Sequence, residues 1–155
     1  MGKIDRRDSA SQDISVEPAN KNDLPNILSL LERSNLPQEG LASHVTTTLA
    51  ARKAGRIVGS AALEVYGREA LLRSVAVEKS ERGKGLGQQL TNASLDLARQ
   101  HKVKTVFLLT ETADGFFSRF GFQRTSRSQV PSTVQQSVEF TSACPVSALL
   151  MMLSL

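Results

Sequence analysis

Apolar and polar positions change period several times along the chain, and each change marks an element. Ile14, Val16 and Pro18 alternate with polar neighbours, which predicts a first strand. Leu24, Ile27, Leu28 and Leu31 then recur at helical spacing, so a helix follows, with Asn22 or Asp23 as its cap and Pro25 tolerated in its first turn. The stretch Leu36-Pro37-Gln38-Glu39-Gly40-Leu41 breaks that helix and starts a second, short one. A strand is expected from Thr46 to Arg52, a hairpin turn at Ala54-Gly55 and a partner strand from Arg56 to Tyr66. After a turn at Gly67-Arg68-Glu69, a third meander strand runs from Leu71 to Glu78.

The pattern then becomes helical. Leu86, Leu90, Ala93, Leu95, Leu97 and Ala98 mark one face of a helix over Gly85 to Gln100, and Val103 to Thr110 reads as a buried strand. Strand, glycine turn, helix and strand make one βαβ crossover, which sets the two strands parallel in an otherwise antiparallel sheet. Ala113 to Phe120 is a short helix closed by Gly121, and Phe122 opens a brief strand. Ser132 to Phe140 reads as one more helix capped by Ser132, and Val146 to Leu153 as the closing strand. Residues 1 to 12 lack periodicity and are expected to form a flexible tail, leaving 13 to 155 as one folded domain.

Composition narrows the classes. A chain of 155 residues is long enough for one hydrophobic core. No apolar run approaches the ~20 residues that span a bilayer, and the first residues carry no secretory apolar segment, so a cytoplasmic protein without a membrane partner is expected. Cys144 is the only cysteine, which excludes an internal disulfide and a multi-cysteine zinc site. Residues 82 to 127 hold 8 Lys and Arg against 3 Asp and Glu. A basic middle suits a polyphosphate ligand or a nucleic-acid backbone, but a nucleic-acid surface would need stacking aromatics, and the chain has one tyrosine and no tryptophan. No nucleic-acid partner is therefore expected.

The chemistry concentrates between Leu72 and Gly87, where a Val75-Ala76-Val77 strand end leads, four residues on, into Arg82-Gly83-Lys84-Gly85-Leu86-Gly87 at the start of a helix. Three glycines in five positions let the chain bend tightly and gather backbone N–H groups on one concave surface at the positive end of a helix. Such a nest binds phosphate oxygens, and Arg82 and Lys84 add charge at its rim. A Walker loop is excluded because no Gly-Lys-Ser/Thr run exists. A dinucleotide fold is disfavoured because the glycine spacing is wrong and several strands precede the turn.

These residues resemble the GNAT acetyltransferases, whose signature is Arg or Gln, two residues, Gly, one residue, then Gly or Ala: Arg82, Gly85 and Gly87 match it. Ala113-Asp114-Gly115-Phe116-Phe117-Ser118-Arg119-Phe120-Gly121-Phe122 resembles the family's second motif, and the likeness extends loosely over residues 14 to 153. Leu-Leu-Arg-Ser-Val-Ala-Val, Leu-Leu-Thr-Glu-Thr-Ala and the late Glu-Phe then Cys-Pro-Val-Ser-Ala look more narrowly like acetyltransferases encoded in arsenic-resistance operons. The resemblance implies a single-domain α/β (α+β) GNAT fold. Its mixed, mostly antiparallel sheet of six to seven strands would have helices on both faces and a splay between its two central parallel strands.

It also implies acetyl-CoA as co-substrate, a small amino-acid-like amine as acceptor, direct attack in a ternary complex, and room for a homodimer. Carried over by residue, Val75, Ala76 and Val77 would meet the pantetheine arm, and Arg82, Gly83, Lys84, Gly85, Leu86, Gly87 and Gln88 the pyrophosphate. Thr110, Phe116 and Phe117 would complete the coenzyme site. The acceptor amine must lose a proton, for which Glu64 ranks first and Glu111 second, with Glu78 as a surface residue. Arg73, Arg124 and Arg127 are candidates for an acceptor carboxylate. Phe117 stands where many relatives carry a tyrosine acid, so that acid is absent. The competing reading is a non-catalytic sensor that binds coenzyme A. Cys144, outside the motifs, reads as a buried structural residue.

Overall fold

Seven strands form one sheet in the order β1-β2-β3-β4-β5-β7-β6. The computed structural model describes residues 13–155, so the tail expected over residues 1 to 12 lies outside the described residues. The elements are β1 (Ile14–Pro18), α1 (Leu24–Arg33), β2 (Thr48–Lys53), β3 (Arg56–Tyr66), β4 (Glu69–Val77), α2 (Leu86–Gln100) and β5 (Thr105–Thr110). They are followed by α3 (Asp114–Ser118), β6 (Gln123–Arg124), α4 (Ser132–Gln135) and β7 (Leu149–Ser154). β4 and β5 run parallel and the other neighbouring pairs antiparallel, as the crossover requires. Among the described residues, no helix is long and apolar enough to cross a membrane.

The β2–β3 turn shows why the hairpin was readable. Ala54 and Gly55 both have positive φ, 51° and 79°, the backbone that lets a two-residue loop follow the strand twist. Beyond it, alternate side chains sort onto two faces. Ala50, Ala62 and Ala76 meet Ile27, Leu30 and Leu31 of α1 on one face, and Ala51, Val58 and Ala61 meet Leu86 and Leu90 of α2 on the other. Helices thus cover both faces, and the many alanines let them approach the sheet closely. Farther along α2, Leu95 and Ala98 join Leu63, Leu72, Val106, Leu108, Phe117 and Phe122.

Several expectations are corrected. Asp23 stands at the cap position of α1 as expected but makes no side-chain cap there; Asn20 caps the 3-10 turn before it, its side chain accepting from Asn22 N while Asp23 Oδ2 accepts from Asn20 N. Leu30 is buried on α1, whereas Leu24 and Leu28 are only half-buried. The second short helix is a 3-10 segment, Leu41–Thr47, entered through Gly40 at φ 81°. On α2 the small polar residues Thr91 and Ser94 face the sheet, while Ala93 and Leu97 are half-buried.

The helix expected over Ser132 to Phe140 is instead one turn, Ser132–Gln135, followed by a π turn, Glu139–Ala143. Pro131 occupies the cap position and no side chain caps the turn. This late segment lies over the β4–β5–β7 end of the sheet, where Val130 and Val134 pack on Leu71, Phe107 and Leu150.

α2 sits close over β3 at Gly59, where an added Cβ would lie 2.9 Å from Leu90 Cδ1, 3.2 Å from Ala51 Cβ and 3.3 Å from the Ala76 carbonyl oxygen. Leu90 can shift, but the last two atoms belong to the sheet itself. Gly59→Ala is therefore expected to destabilise the fold by about 1–3 kcal/mol, read as a lowered midpoint in urea at unchanged slope.

Candidate active site

β4 departs from regular pairing where the motif begins. Ala62 faces Arg73 and Ser60 faces Ala76, so Ala61 alone stands opposite Ser74 and Val75, a β-bulge. Ser74 reaches this with φ 60°, a left-handed conformation that costs a non-glycine residue about 1 kcal/mol. It is held by Ser60 Oγ, which donates to the Ser74 carbonyl at 2.7 Å, and by Arg73 Nε, which donates to Ser74 Oγ at 3.0 Å.

Toward β5, β4 pairs only from Glu69 to Leu71. Beyond Leu71 the two parallel strands part around a cleft of about 650 Å³. Leu72 to Val75 form one wall and Leu108 to Ala113 the other, with Phe117 and the late segment closing it.

The glycine turn stands at the end of β4. Gly83 and Gly85 have φ of 80° and 86°, and a Cβ on either would meet nothing, so the turn is open to its surroundings. Among the described residues, no acceptor meets the N–H groups of Gly83, Lys84, Gly85, Leu86, Gly87 or Gln88, and Gly85 gives α2 no side-chain cap. The four from Gly85 to Gln88 are the orphan donors of a helix start, and Gly83 and Lys84 extend the run before it.

Glu81 is buried beneath the turn and holds Lys53 at 3.0 Å and Lys84 at 3.3 Å. Arg82 Nε donates to the Val77 carbonyl at 3.0 Å, which ties the turn back to the strand end. Gly87 leaves room for Phe116, whose Cζ would lie 3.5 Å from a Cβ there. Phe116 also lines a second groove, of about 320 Å³, with Gln88, Asn92, Arg119 and Phe120.

Of the predicted residues, Val75, Thr110 and Phe117 border the cleft together with Glu111. Thr110 Oγ1 accepts from Ala113 N at 2.9 Å and so starts the turn before α3. Glu111 is exposed. Phe117 is 7% exposed, set edge-on between Phe116 and Phe122. Glu78 bonds Arg33 at the surface.

Glu64 does not line the cleft. It is 1% exposed; one carboxylate oxygen receives Arg73 Nη1 at 2.9 Å, and the other accepts from the Tyr66 hydroxyl, with His44 Nε2 at 3.8 Å. Burial alone would raise this carboxyl, but hydrogen bonds from Tyr66, Arg73 and Ser137 hold it below its ordinary value. Glu64, ranked first as a base from the sequence, is thus placed with both carboxylate oxygens engaged beside Arg73 and not among the residues that line the cleft.

Arg73 is equally engaged. Its side chain has no exposed surface, and besides Glu64 it meets Glu139 Oε2 at 3.3 Å from Nε and the Pro37 carbonyl at 3.3 Å from Nη2. It is not free to bind an acceptor carboxylate. Arg124 pairs with Asp114 at the surface, and Arg127 lies over the Phe140 ring, 5.3 Å from its centroid.

Sequence reasoning gave no role to Glu139, which is 4% exposed and lines the cleft. Cys144, read as a buried structural residue, is half-buried in the same wall, and its Sγ donates to Glu139 Oε1 at 3.4 Å. Burial and the neighbouring Glu139 push the Cys144 thiol up to about 12, so it remains a thiol.

The chain belongs to the acetyltransferase (GNAT) domain family, whose pattern matches residues 44–124, from the turn before β2 to the end of β6. It is similar to an uncharacterized N-acetyltransferase of Chlorobaculum tepidum, 29% identical over 97 residues that cover 62% of each chain. It is also similar to an amino-acid acetyltransferase of Mycobacterium tuberculosis, 33% identical over 81 residues, covering 52% of this chain and 46% of that one. The matched regions thus span about half to three-fifths of these relatives' lengths. In fold it resembles N-acetylglutamate synthase from Neisseria gonorrhoeae, solved with coenzyme A and N-acetyl-glutamate. The TM-score is 0.79 at 22% identity, over 92% of this chain and 35% of that one.

Removing Glu64 leaves a buried guanidinium short of its nearer carboxylate. Glu64→Gln is expected to cost about 3 kcal/mol in denaturant unfolding. Because the folded-state carboxyl is held below its ordinary value of 4.5, the stabilisation is present above that pH and fades as acid protonates the group. The wild type should therefore lose stability more steeply than Glu64→Gln on acidification below about pH 4.5.

Proposed function

We propose that this chain is an acetyltransferase that binds acetyl-CoA between the glycine turn and the parted strands and transfers the acetyl group to the primary amine of a small molecule. The observation that carries the reading is the row of acceptor-free amides from Gly83 to Gln88, standing at the end of a strand whose edge is unpaired after Leu71. A pyrophosphate needs a concave set of donors, and an extended pantetheine needs an exposed strand edge; these two features are contiguous here. Arg82 and Lys84 supply charge at the rim.

Within this reading, Val75, Ala76 and Val77 offer backbone groups to the pantetheine, and Leu86, Gly87 and Gln88 add the helix start to the phosphate site. The thioester lies in the cleft, walled by Phe117, whose ring supplies bulk but no proton. The amine attacks the thioester carbon directly, so no covalent enzyme intermediate forms, consistent with the raised Cys144 thiol. The cytoplasm is the compartment this co-substrate implies.

The relative described as an amino-acid acetyltransferase and the likeness to arsenic-operon acetyltransferases support a small amino-acid-like acceptor. A second acceptor class is favoured by the cleft itself. Glu39, Glu111 and Glu139 line it, and among its described lining residues the one cation, Arg73, is already paired, which suits an amine carrying a further positive charge.

Acetyl-CoA at about a hundredfold its Kd should stabilise the wild type by roughly 2.7 kcal/mol, seen as a raised Tm. Gly85→Asp sets a carboxylate against the diphosphate and should abolish most of that shift, whereas Gly85→Asn, equal in shape and tolerant of positive φ, should retain more of it. Thiol release measured with L-glutamate, L-methionine, L-lysine and putrescine then identifies the acceptor class. Binding without turnover on every amine would convert the reading to a sensor.

A further inference from the structure

We propose that Glu139, on the π turn of the late segment, is the general base that deprotonates the acceptor amine. The inference rests on the acetyltransferase reading and assigns a role that reading leaves vacant.

Among the carboxylates near the parted strands, Glu64 is shut away from the cleft with both oxygens bonded, and Glu39 and Glu111 are solvated at its rim. Glu139 is buried and still lines the cleft. Its Oε2 lies 3.3 Å from Arg73 Nε, the same N–H that donates to Ser74 Oγ, so the carboxylate is fixed beside the bulge where β4 leaves β5. Among the described residues its other oxygen receives only Cys144 Sγ, at 3.4 Å, a weak donor that leaves lone-pair capacity for a substrate N–H.

The charges around it divide the labour between two carboxylates on one guanidinium. Burial pushes the Glu139 carboxyl above the ordinary range; Arg73 and the Cys144 thiol oppose this, while Glu64 on β3 and Glu39 from the loop before the 3-10 segment reinforce it. Glu111, from the loop after β5, adds negative charge against the neighbouring Cys144. Glu64 goes the other way and stays ionised. Two carboxyls driven apart by their surroundings is the pattern of an anchor and a proton acceptor.

In the step assigned here, Glu139 takes a proton from the bound ammonium. The freed lone pair forms the C–N bond at the acetyl carbonyl, the C–S bond breaks with its electrons on sulfur, and the remaining surplus proton on nitrogen leaves with coenzyme A as the thiol.

The test compares wild type, Glu139→Gln, Glu139→Asp and Glu111→Gln over about pH 5 to 9, using acetyl-CoA with the amine, of the four named above, that wild type turns over fastest. Glu139→Gln should lower kcat roughly 10²- to 10⁴-fold and remove the rise of rate with pH, with acetyl-CoA affinity unchanged. Glu139→Asp should keep that rise at reduced kcat, which serves if the Gln variant does not fold. The Gln defect should shrink with aminoacetonitrile, an amine already neutral at the assay pH, an effect a merely structural role would not produce.

The proposal is overturned if Glu139→Gln keeps the pH limb and a kcat near wild type, if Glu139→Asp loses the limb, or if Glu111→Gln alone abolishes it. No turnover by wild type on any amine would remove the transferase reading itself, an outcome distinct from a wild-type-like Glu139→Gln.

Discussion

The site depends on one interruption in hydrogen bonding, the end of β4–β5 pairing at Leu71. Below that point Leu71, Val106 and Phe107 close the sheet into the core. Above it, β4 continues for six residues bonded only to β3, and the bulge at Ser74–Val75 bends and twists it, as bulges do. A regular parallel pair here would use up the backbone groups that now border a cleft. The left-handed Ser74 is thus a local cost met by two hydrogen bonds and returned as an open strand edge. The same strand end runs through a three-residue 3-10 turn straight into the glycine nest, so an open edge and a donor-rich helix start lie in series along one stretch of chain.

A cleft cut into a sheet exposes its interior to charge, and this chain answers with charge of its own. Arg73 sits on β4 with no exposed side-chain surface, which would be prohibitive for an unpaired guanidinium. It is compensated from two directions: Glu64 from the neighbouring strand and Glu139 from the late segment. The late segment has little regular structure and packs through Val130 and Val134; its carboxylate adds an electrostatic tie to β4. The guanidinium links the stability of the cleft wall to the protonation of a group facing the cleft.

The core of the fold was legible because its signals are local. A turn at Ala54-Gly55, a helical stripe after Gly85 and an apolar strand on either side of it are written in short windows. The glycine nest was legible for the same reason. The late segment was not, because its turns are too short to show a period and are held by contacts with Leu71, Phe107 and Leu150, which are distant in sequence. Glu139 therefore looked like one charge in an ambiguous helix.

Glu64 is the instructive intermediate: a carboxylate in an apolar strand stands out in the sequence, but its pairing with Arg73 does not. The register holds the missing signal. In the β3–β4 hairpin Arg73 faces Ala62, two residues from Glu64 on the same side, a diagonal pair of opposite charges that hairpin counting would have found.

The remaining walls of the cleft make chemical sense when the two ends of an acyl transfer are weighed separately. An alkyl ammonium, with a pKa near the ~10.4 of lysine, is overwhelmingly protonated at neutral pH and cannot attack until a base relieves it. A thiol leaving group, near the ~8.5 of cysteine, departs readily as the anion. The first half of the reaction needs help from the protein and the second does not. Around this cleft the protein places a buried carboxylate where a proton must be taken, and at Phe117 an aromatic ring with no proton to give. Cys144, the only thiol in the chain, is held in its protonated form beside that carboxylate and does not compete with the amine for the acetyl group. A cleft lined by a buried carboxylate and by Phe117, which has no proton to give, is matched to a nucleophile that arrives charged and a leaving group that can take its proton from that nucleophile.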